Sequence, residues 1–174
     1  MHLHLMQVQL HCGAMDDDAL GAWRAFLTAH ARITRRVSRD LAAAGLPELT
    51  WYDLLWALYR QPHRSLRVNE LASEVALSAT AMSRFVDRGE AAGCVRREPD
   101  PADRRALRVV ITDQGVDLLR RMWPIYEQAL EQHFAAFLGS SPERVRAMLE
   151  SMARSTADDP EVGSLRANAR SEPA

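Results

Sequence analysis

The chain has 174 residues, of which 47% are apolar and 26% charged, enough to bury one domain's core and stay soluble. No apolar run is long enough to form a membrane-spanning helix, and the first fifteen residues do not look like a secretory signal. Two cysteines are too few for a disulfide framework. The net charge of −1 excludes a uniformly basic nucleic-acid binder, and we expect a cytoplasmic protein.

Residues 1–15 differ from the rest and are predicted to be an N-terminal extension, either a short strand or an unstructured leader. Met15, which three Asp residues follow, would be a reasonable start of translation. This segment holds metal-capable side chains at His2, His4, His11 and Cys12. Because no second ligand cluster accompanies them at a set spacing, we predict no metal site and no cofactor.

A long amphipathic helix is predicted to begin at the acidic run Asp16–Asp18 and to end at Gly45. Apolar residues such as Trp23 recur at steps of three and four, and His30 falls on the same stripe. A second helix is predicted to begin at a Thr50 cap, with Asp53 in a capping-box-like arrangement, and to end at Pro62.

Two short helices follow, Val68–Leu77 and Ala79–Ala92, the latter with Ser78 as its N-cap and Gly93 after its end. After Gly93 the helical spacing of the apolar residues ends. Two β-prone runs, Val95–Pro99 and Leu107–Thr112, flank the polar turn DPADRRA and predict a hairpin with an arginine-bearing tip.

Two further helices are predicted after the hairpin. The first runs from Thr112 or Asp113 to about Leu138, and Pro124 should bend it. The second begins at Ser141-Pro142-Glu143, a strong helix start. From residue 155 to residue 174 the composition becomes polar and small, and we predict a disordered tail.

This order of elements predicts a mainly α fold with a small β-hairpin wing. A winged helix-turn-helix lobe would span residues 49–112, and a helical dimerisation region would span residues 16–48 and 113–154. Residues 60–112 hold ten Arg against seven Asp and Glu, whereas the remainder holds twelve Arg against sixteen acids. The local excess of positive charge is a weak pointer to an anionic partner, although a solvated Arg-rich surface would look the same.

The predicted interface with double-stranded DNA lies on the Ser78-capped helix and on the hairpin. Side chains near the start of this helix can reach base edges in the major groove, namely Thr80, Ser83 and Arg84. Arg88 can reach guanine or phosphate, as Arg84 can. On the hairpin, Arg104 and Arg105 can enter the adjacent minor groove.

The run NELASEVALSATAMSRFVDRGEAAGCVRREPDPADRRALRVVITDQG resembles the DNA-binding lobe of the MarR (multiple antibiotic resistance regulator) family, and the likeness extends over roughly residues 17–154. The resemblance implies a homodimeric winged-helix regulator of transcription. It makes Arg105 the wing-tip reader and Asp103 the residue that braces the wing. Gly89 departs from the family, which usually has an apolar residue there, and predicts either a looser lobe or repacking of Cys94 and Met82 into a gap.

A dimer is also expected because the last helices carry more apolar residues than one lobe can cover, and two-fold symmetry predicts a pseudo-palindromic operator. The resemblance implies repression and release by a small aromatic or phenolic effector. The side chains predicted to line the effector cleft are Trp23, His30, Tyr52, Trp56 and Tyr59, with Trp123 as a further candidate. Alternatives are a thiol-based redox regulator of the same fold and a protein-interaction module. No enzyme motif is found.

Overall fold

The computed structural model describes residues 16–103 and 105–157, so the predicted N-terminal extension, Arg104 and residues 158–174 lie outside the described part. The described part is mainly helical with a small antiparallel sheet, which confirms the predicted fold class. It divides into two compact units at the boundary between Ala129 and Leu130.

The first unit begins with α1 (Asp17–Ala43), whose N-cap Asp16 accepts a hydrogen bond from the Asp18 amide, as the acidic run predicts. Gly45, with φ of 70°, follows the end of the helix. Val37 and Leu41 are buried, whereas residues 21–32 are all exposed. The second half of α1 therefore supplies the core, and the first half presents its apolar stripe to solvent.

Helix α2 (Leu49–Tyr59) is the most buried helix of this unit, through Tyr52, Leu54, Leu55, Ala57 and Leu58. The predicted Thr50 cap with Asp53 is wrong. Leu49 is already helical, and the N-cap is Glu48, whose side chain makes no capping hydrogen bond but whose carbonyl accepts the Trp51 amide at 2.9 Å.

The helix-turn-helix pair is α3 (Val68–Glu74) and α4 (Ala79–Ala91). Helix α3 ends earlier than predicted, since Ala76 takes a left-handed conformation with φ of 54°. Helix α4 has the predicted Ser78 cap, whose hydroxyl accepts the Ala81 amide at 3.2 Å.

The sheet has the order β1-β3-β2, from β1 (Ser65–Arg67), β2 (Val95–Pro99) and β3 (Leu107–Ile111). The predicted hairpin is β2 with β3, and Arg97 stands opposite Val109 in its register. Strand β1, which the sequence did not predict, pairs with the other edge of β3.

Helix α5 (Asp113–His133) continues through Pro124. It starts against the sheet, because the Thr112 hydroxyl donates to the Gly93 carbonyl at 2.6 Å and accepts the Gly115 amide at 3.1 Å. Helix α5 crosses the boundary between the units and ends before the predicted Leu138, because Phe134 leaves the helical conformation.

The second unit consists of the end of α5, a 3₁₀ turn (Ala135–Phe137) and α6 (Pro142–Ala157). Pro142 occupies the first helical position, as predicted. Helix α6 continues into the first three residues of the segment 155–174 that was predicted to be disordered, and the rest of that segment lies outside the described residues.

Candidate nucleic-acid interface

Helix α4 buries one face and presents the other to solvent. Met82, Val86 and Gly89 are buried, whereas Thr80 and Arg84 are exposed and Ser83 is half-buried. The Ser78 hydroxyl caps the start of the helix, and Ala79 and Thr80 of its first turn are exposed. The predicted base-contacting side chains of this helix therefore lie at or near the surface.

Arg88 differs from Arg84 in its surroundings. Its guanidinium donates to Glu48 at 3.1 Å and lies 4.2 Å from the centre of the Phe85 ring, in cation–π geometry. Both members of the Arg88–Glu48 pair are about half exposed, so water screens the interaction. Of the two predicted helix arginines, Arg88 would have to leave these partners to reach DNA.

Arg97 of β2 connects that strand to helix α4. The Arg97 guanidinium donates to Asp87 at 2.6 Å and to Glu90 at 2.5 Å, and the Arg97 amide donates to Glu90 at 3.0 Å. These contacts hold α4 against β2. Arg97 therefore acts inside the lobe, where it holds two acidic side chains of α4.

The gap predicted at Gly89 is absent. A Cβ atom at this position would lie 3.0 Å from Cγ2 of Val95, so the helix already touches the strand there. The small residue permits this close approach, and neither a looser lobe nor repacking of Cys94 and Met82 is needed.

The turn between β2 and β3 has the shape that its aspartates dictate. The Asp103 carboxylate accepts the Arg105 amide at 3.0 Å, and its carbonyl accepts the Ala106 amide at 2.9 Å. Asp103 thus braces the turn through the backbone, and Arg105 is exposed beside it. Arg104 lies outside the described residues.

Asp100 is a residue of the site that sequence reasoning missed. Its side chain is 2% exposed, and its carboxylate accepts hydrogen bonds from Arg67 at 2.7 Å, Arg108 at 3.3 Å and the Ala102 amide at 2.8 Å. The bond from Arg67 and then that from Ala102 hold the pKa of Asp100 well below its ordinary value. The two Asp residues of the DPADRRA turn were the available signal, but only the distant arginines identify which of them is buried.

The predicted effector residues fall into two groups of rings. Trp23 and His30 both stack on Phe26 along α1, with centroids 5.9 and 6.3 Å apart. Tyr52, Trp56 and Tyr59 lie on α2, where Tyr52 and Trp56 stack against Trp123 of α5.

The second group lines a cavity of about 300 Å³. Its walls are mostly aromatic and aliphatic, and Arg120 supplies a cation at its edge. Burial raises the pKa of Tyr52, and burial raises that of the neighbouring Asp53 to about 6. An aromatic cavity with a few polar groups is the usual form of a small-molecule site.

Residues 16–103 and 105–157 give no support to a reactive cysteine, a metal site or a membrane-spanning helix. Cys94 is buried and burial raises the pKa of its thiol, the opposite of what a reactive cysteine needs. Within these residues there is no group of three or more His, Cys, Asp or Glu side chains placed to bind a metal. Nor does this part of the chain contain a helix with the length and apolar character needed to cross a bilayer. Cys12 and the N-terminal histidines lie outside it.

Comparisons with known proteins agree with this geometry. Residues 44–106 match the family model for the MarR family. The chain is 27% identical over 125 residues to the uncharacterized HTH-type transcriptional regulator YkoM of Bacillus subtilis, covering 72% of this chain and 77% of that protein. It is 26% identical over 121 residues to the HTH-type transcriptional repressor IacR of Pseudomonas putida, covering 70% of this chain and 71% of that protein.

A solved structure is similar over a longer range. Sco3205, a MarR family transcriptional regulator from Streptomyces coelicolor crystallised in complex with DNA, has a TM-score of 0.75 and 26% identity. The alignment covers 85% of this chain and 92% of that one. The winged lobe, the matched family model and these relatives agree: residues 44–106 match the MarR family, and the chain is similar to MarR family transcriptional regulators.

Proposed function

We propose that this chain is a homodimeric repressor that binds an inverted-repeat operator through α4 and the wing, the β2–β3 hairpin, of each copy. The observation that carries the proposal is the exposure of Arg84 and Arg105 on one lobe whose helix and wing are joined by the Arg97 ion pairs. Cations on both a helix and a hairpin tip suit a duplex, whereas a module that binds only proteins needs neither.

The two elements would read different grooves. A helix fits the major groove, where Arg84 can form a bidentate contact with guanine and the exposed Thr80 can reach a neighbouring base. A hairpin tip such as that of Arg105 fits the narrow minor groove, which is most negative over A·T-rich DNA. Arg88, Arg104 and Ser83 remain predicted contacts on the same two elements.

Repression and location follow from the same proposal. A dimer that covers an operator blocks the polymerase sterically, and the similar protein IacR is named a repressor. A regulator of chromosomal genes acts where the chromosome is, so we place the chain in the cytoplasm.

The direct test of DNA binding is footprinting of the purified protein on the DNA that flanks its own gene. A protected inverted repeat is expected, and no protection on any duplex at low salt would refute DNA binding.

Dimerisation is supported by apolar surface in each unit. On α1, Trp23, Phe26 and Leu27 are each about half exposed. In the second unit, Phe137 is 81% exposed, and a cavity of about 430 Å³ lies between Phe134, Leu138 and the apolar side of α6. A second copy can bury such surfaces, and a symmetric pair would set two recognition helices about one DNA turn apart.

Met148→Glu is expected to weaken the dimer at least about 100-fold, because an unpaired carboxylate in an apolar interface loses its hydration. Met148 lies on the apolar side of α6 and is half exposed. Sedimentation velocity over a concentration series measures the effect. Ala147→Glu places the same charge outside the apolar side of α6, on an exposed position, and should leave the dimer intact. If the two variants sediment alike, α6 is not the interface.

We also propose that the cavity lined by Tyr52, Trp56 and Tyr59 takes the effector, a small aromatic acid or phenol. The rings supply apolar walls, and Arg120 can pair with a carboxylate. Trp23 and His30, which stack separately on α1, enter this site only if the effector spans both groups. The buried Cys94 gives the thiol-based alternative no support.

Arg120→Gln is expected to weaken binding of an aromatic carboxylate about tenfold, since a charged hydrogen bond is lost. Quenching of tryptophan fluorescence by benzoate-type acids measures it. The uncharged parent aromatic compound serves as the control ligand, and its weaker affinity should not change. Equal losses for both compounds would show that Arg120 does not recognise the carboxylate.

A further inference from the structure

Asp100 directly follows the end of β2, at the base of the wing. Among the residues that the structure describes, it is the charged residue whose side chain is buried. Its carboxylate accepts two guanidinium hydrogen bonds, from Arg67 at 2.7 Å and Arg108 at 3.3 Å. A buried carboxylate with two cationic partners is costly to neutralise, because both guanidinium groups then lose a charged acceptor.

The two arginines belong to the elements that frame the helix-turn-helix. Arg67 is the N-cap of α3, and its amide donates to Glu70 at 2.7 Å. Arg108 lies on β3 and also donates to the hydroxyl and the carbonyl of Ser65 on β1, at 3.0 and 2.9 Å. Through these contacts, one carboxylate connects the wing to the first helix of the pair and to the sheet's opposite edge.

The wing turn also folds around Asp100. Its carboxylate accepts the Ala102 amide at 2.8 Å, its carbonyl accepts the Asp103 amide at 3.2 Å, and its own amide donates to the Ala106 carbonyl at 2.9 Å. The turn that carries Arg105 is thus closed on the same residue that attaches the wing to the lobe.

We infer that Asp100 is a positioning residue for DNA binding, which holds the wing so that Arg105 reaches the minor groove while α4 occupies the major groove. The inference rests on the proposed function. Binding to two grooves at once needs a fixed distance between the two readers, because a mobile wing must be ordered at an entropic cost. Asp100 also occupies Arg67 and Arg108, two cations that would otherwise attract phosphates of any sequence.

A double-mutant cycle tests this role. Asp100→Asn, Arg105→Ala and the double variant are titrated with duplexes tiled across the DNA that flanks the gene, and with a scrambled duplex of equal composition. We expect Asp100→Asn to lower affinity for the protected duplex about tenfold in the wild-type background and only about twofold beside Arg105→Ala, because both changes remove the same contact. Affinity for the scrambled duplex should not fall.

Two further variants keep the test decisive. Glu98→Gln removes an exposed carboxylate that pairs with Arg96 on the same strand, at 2.6 Å, and should leave affinity unchanged. If circular dichroism shows that Asp100→Asn does not fold, Arg67→Gln replaces it in the cycle, since it keeps the Arg108 contact. Hydrogen exchange across residues 101–106 should accelerate in either variant.

The outcomes separate the two proposals. If the wild-type protein binds no duplex, the proposed function fails. If it binds but Arg105→Ala has no effect, the wing does not read DNA and Asp100 cannot act through it. If Asp100→Asn costs nothing, or costs the same factor with and without Arg105, Asp100 is merely structural and only this inference is overturned.

Discussion

Gly115→Ala is expected to destabilise the first unit by about 3 kcal/mol or more, or to prevent its folding. A Cβ atom on Gly115 would lie 2.1 Å from the carbonyl oxygen of Cys94 and 2.8 Å from a side-chain carbon of Ile111. The Cys94 carbonyl cannot retreat, because it accepts the Thr112 amide at 3.0 Å in the junction between β3 and α5. Alanine would therefore push the helix off the sheet.

Urea unfolding followed by circular dichroism measures the loss. Gly21→Ala is the matched control, because Gly21 is exposed within α1 and a Cβ atom there would meet nothing within 4 Å. The control should be stabilising by up to about 1 kcal/mol, the helix-propensity difference between the two residues. A midpoint for Gly115→Ala equal to that of wild type would show that the junction is not as tight as described.

Arg84→Ala and Arg105→Ala are expected to impair DNA binding in different ways. Loss of a bidentate contact at Arg84 should reduce the preference for the operator over a scrambled duplex about tenfold or more. Loss of Arg105 should lower affinity and reduce the slope of log affinity against log salt by about one contact per copy. Fluorescence anisotropy at several salt concentrations measures both quantities.

Arg39→Ala is the control for this pair, since Arg39 is exposed on α1 and pairs with Asp40. It should change neither the preference nor the slope. A uniform loss on all duplexes for Arg84→Ala would assign Arg84 to phosphate rather than to a base. An unchanged slope for Arg105→Ala would argue against the wing role.

Elements bounded by local chemistry could be predicted from the sequence. The acidic start of α1, the Ser78 cap of α4 and Pro142 at the start of α6 lie where predicted, because each acts on backbone groups a few residues away. The start of α2 was wrong because Glu48 makes no side-chain cap for a pattern to reveal.

Strand β1 was missed for a related reason. Its three residues are too few for a detectable alternation, and its partner Val110 stands opposite Ser65, far along the chain. Gly89 was misread because its close neighbour, Val95, belongs to a different element. Both errors concern contacts across the sheet rather than preferences within one segment.

The amino-acid pattern alone determined the order of the helices and of the two hairpin strands, because periodicity, caps and turn residues are local properties of the chain. Only the tertiary structure decided which arginines serve the fold and which face solvent. Arg67 and Arg108 both pair with Asp100. Arg97 pairs with acidic residues of α4, and Arg88 pairs with Glu48. Arg84 and Arg105 are exposed. All are arginines of the same intrinsic charge, and what separates them is the position of an acid brought close by folding.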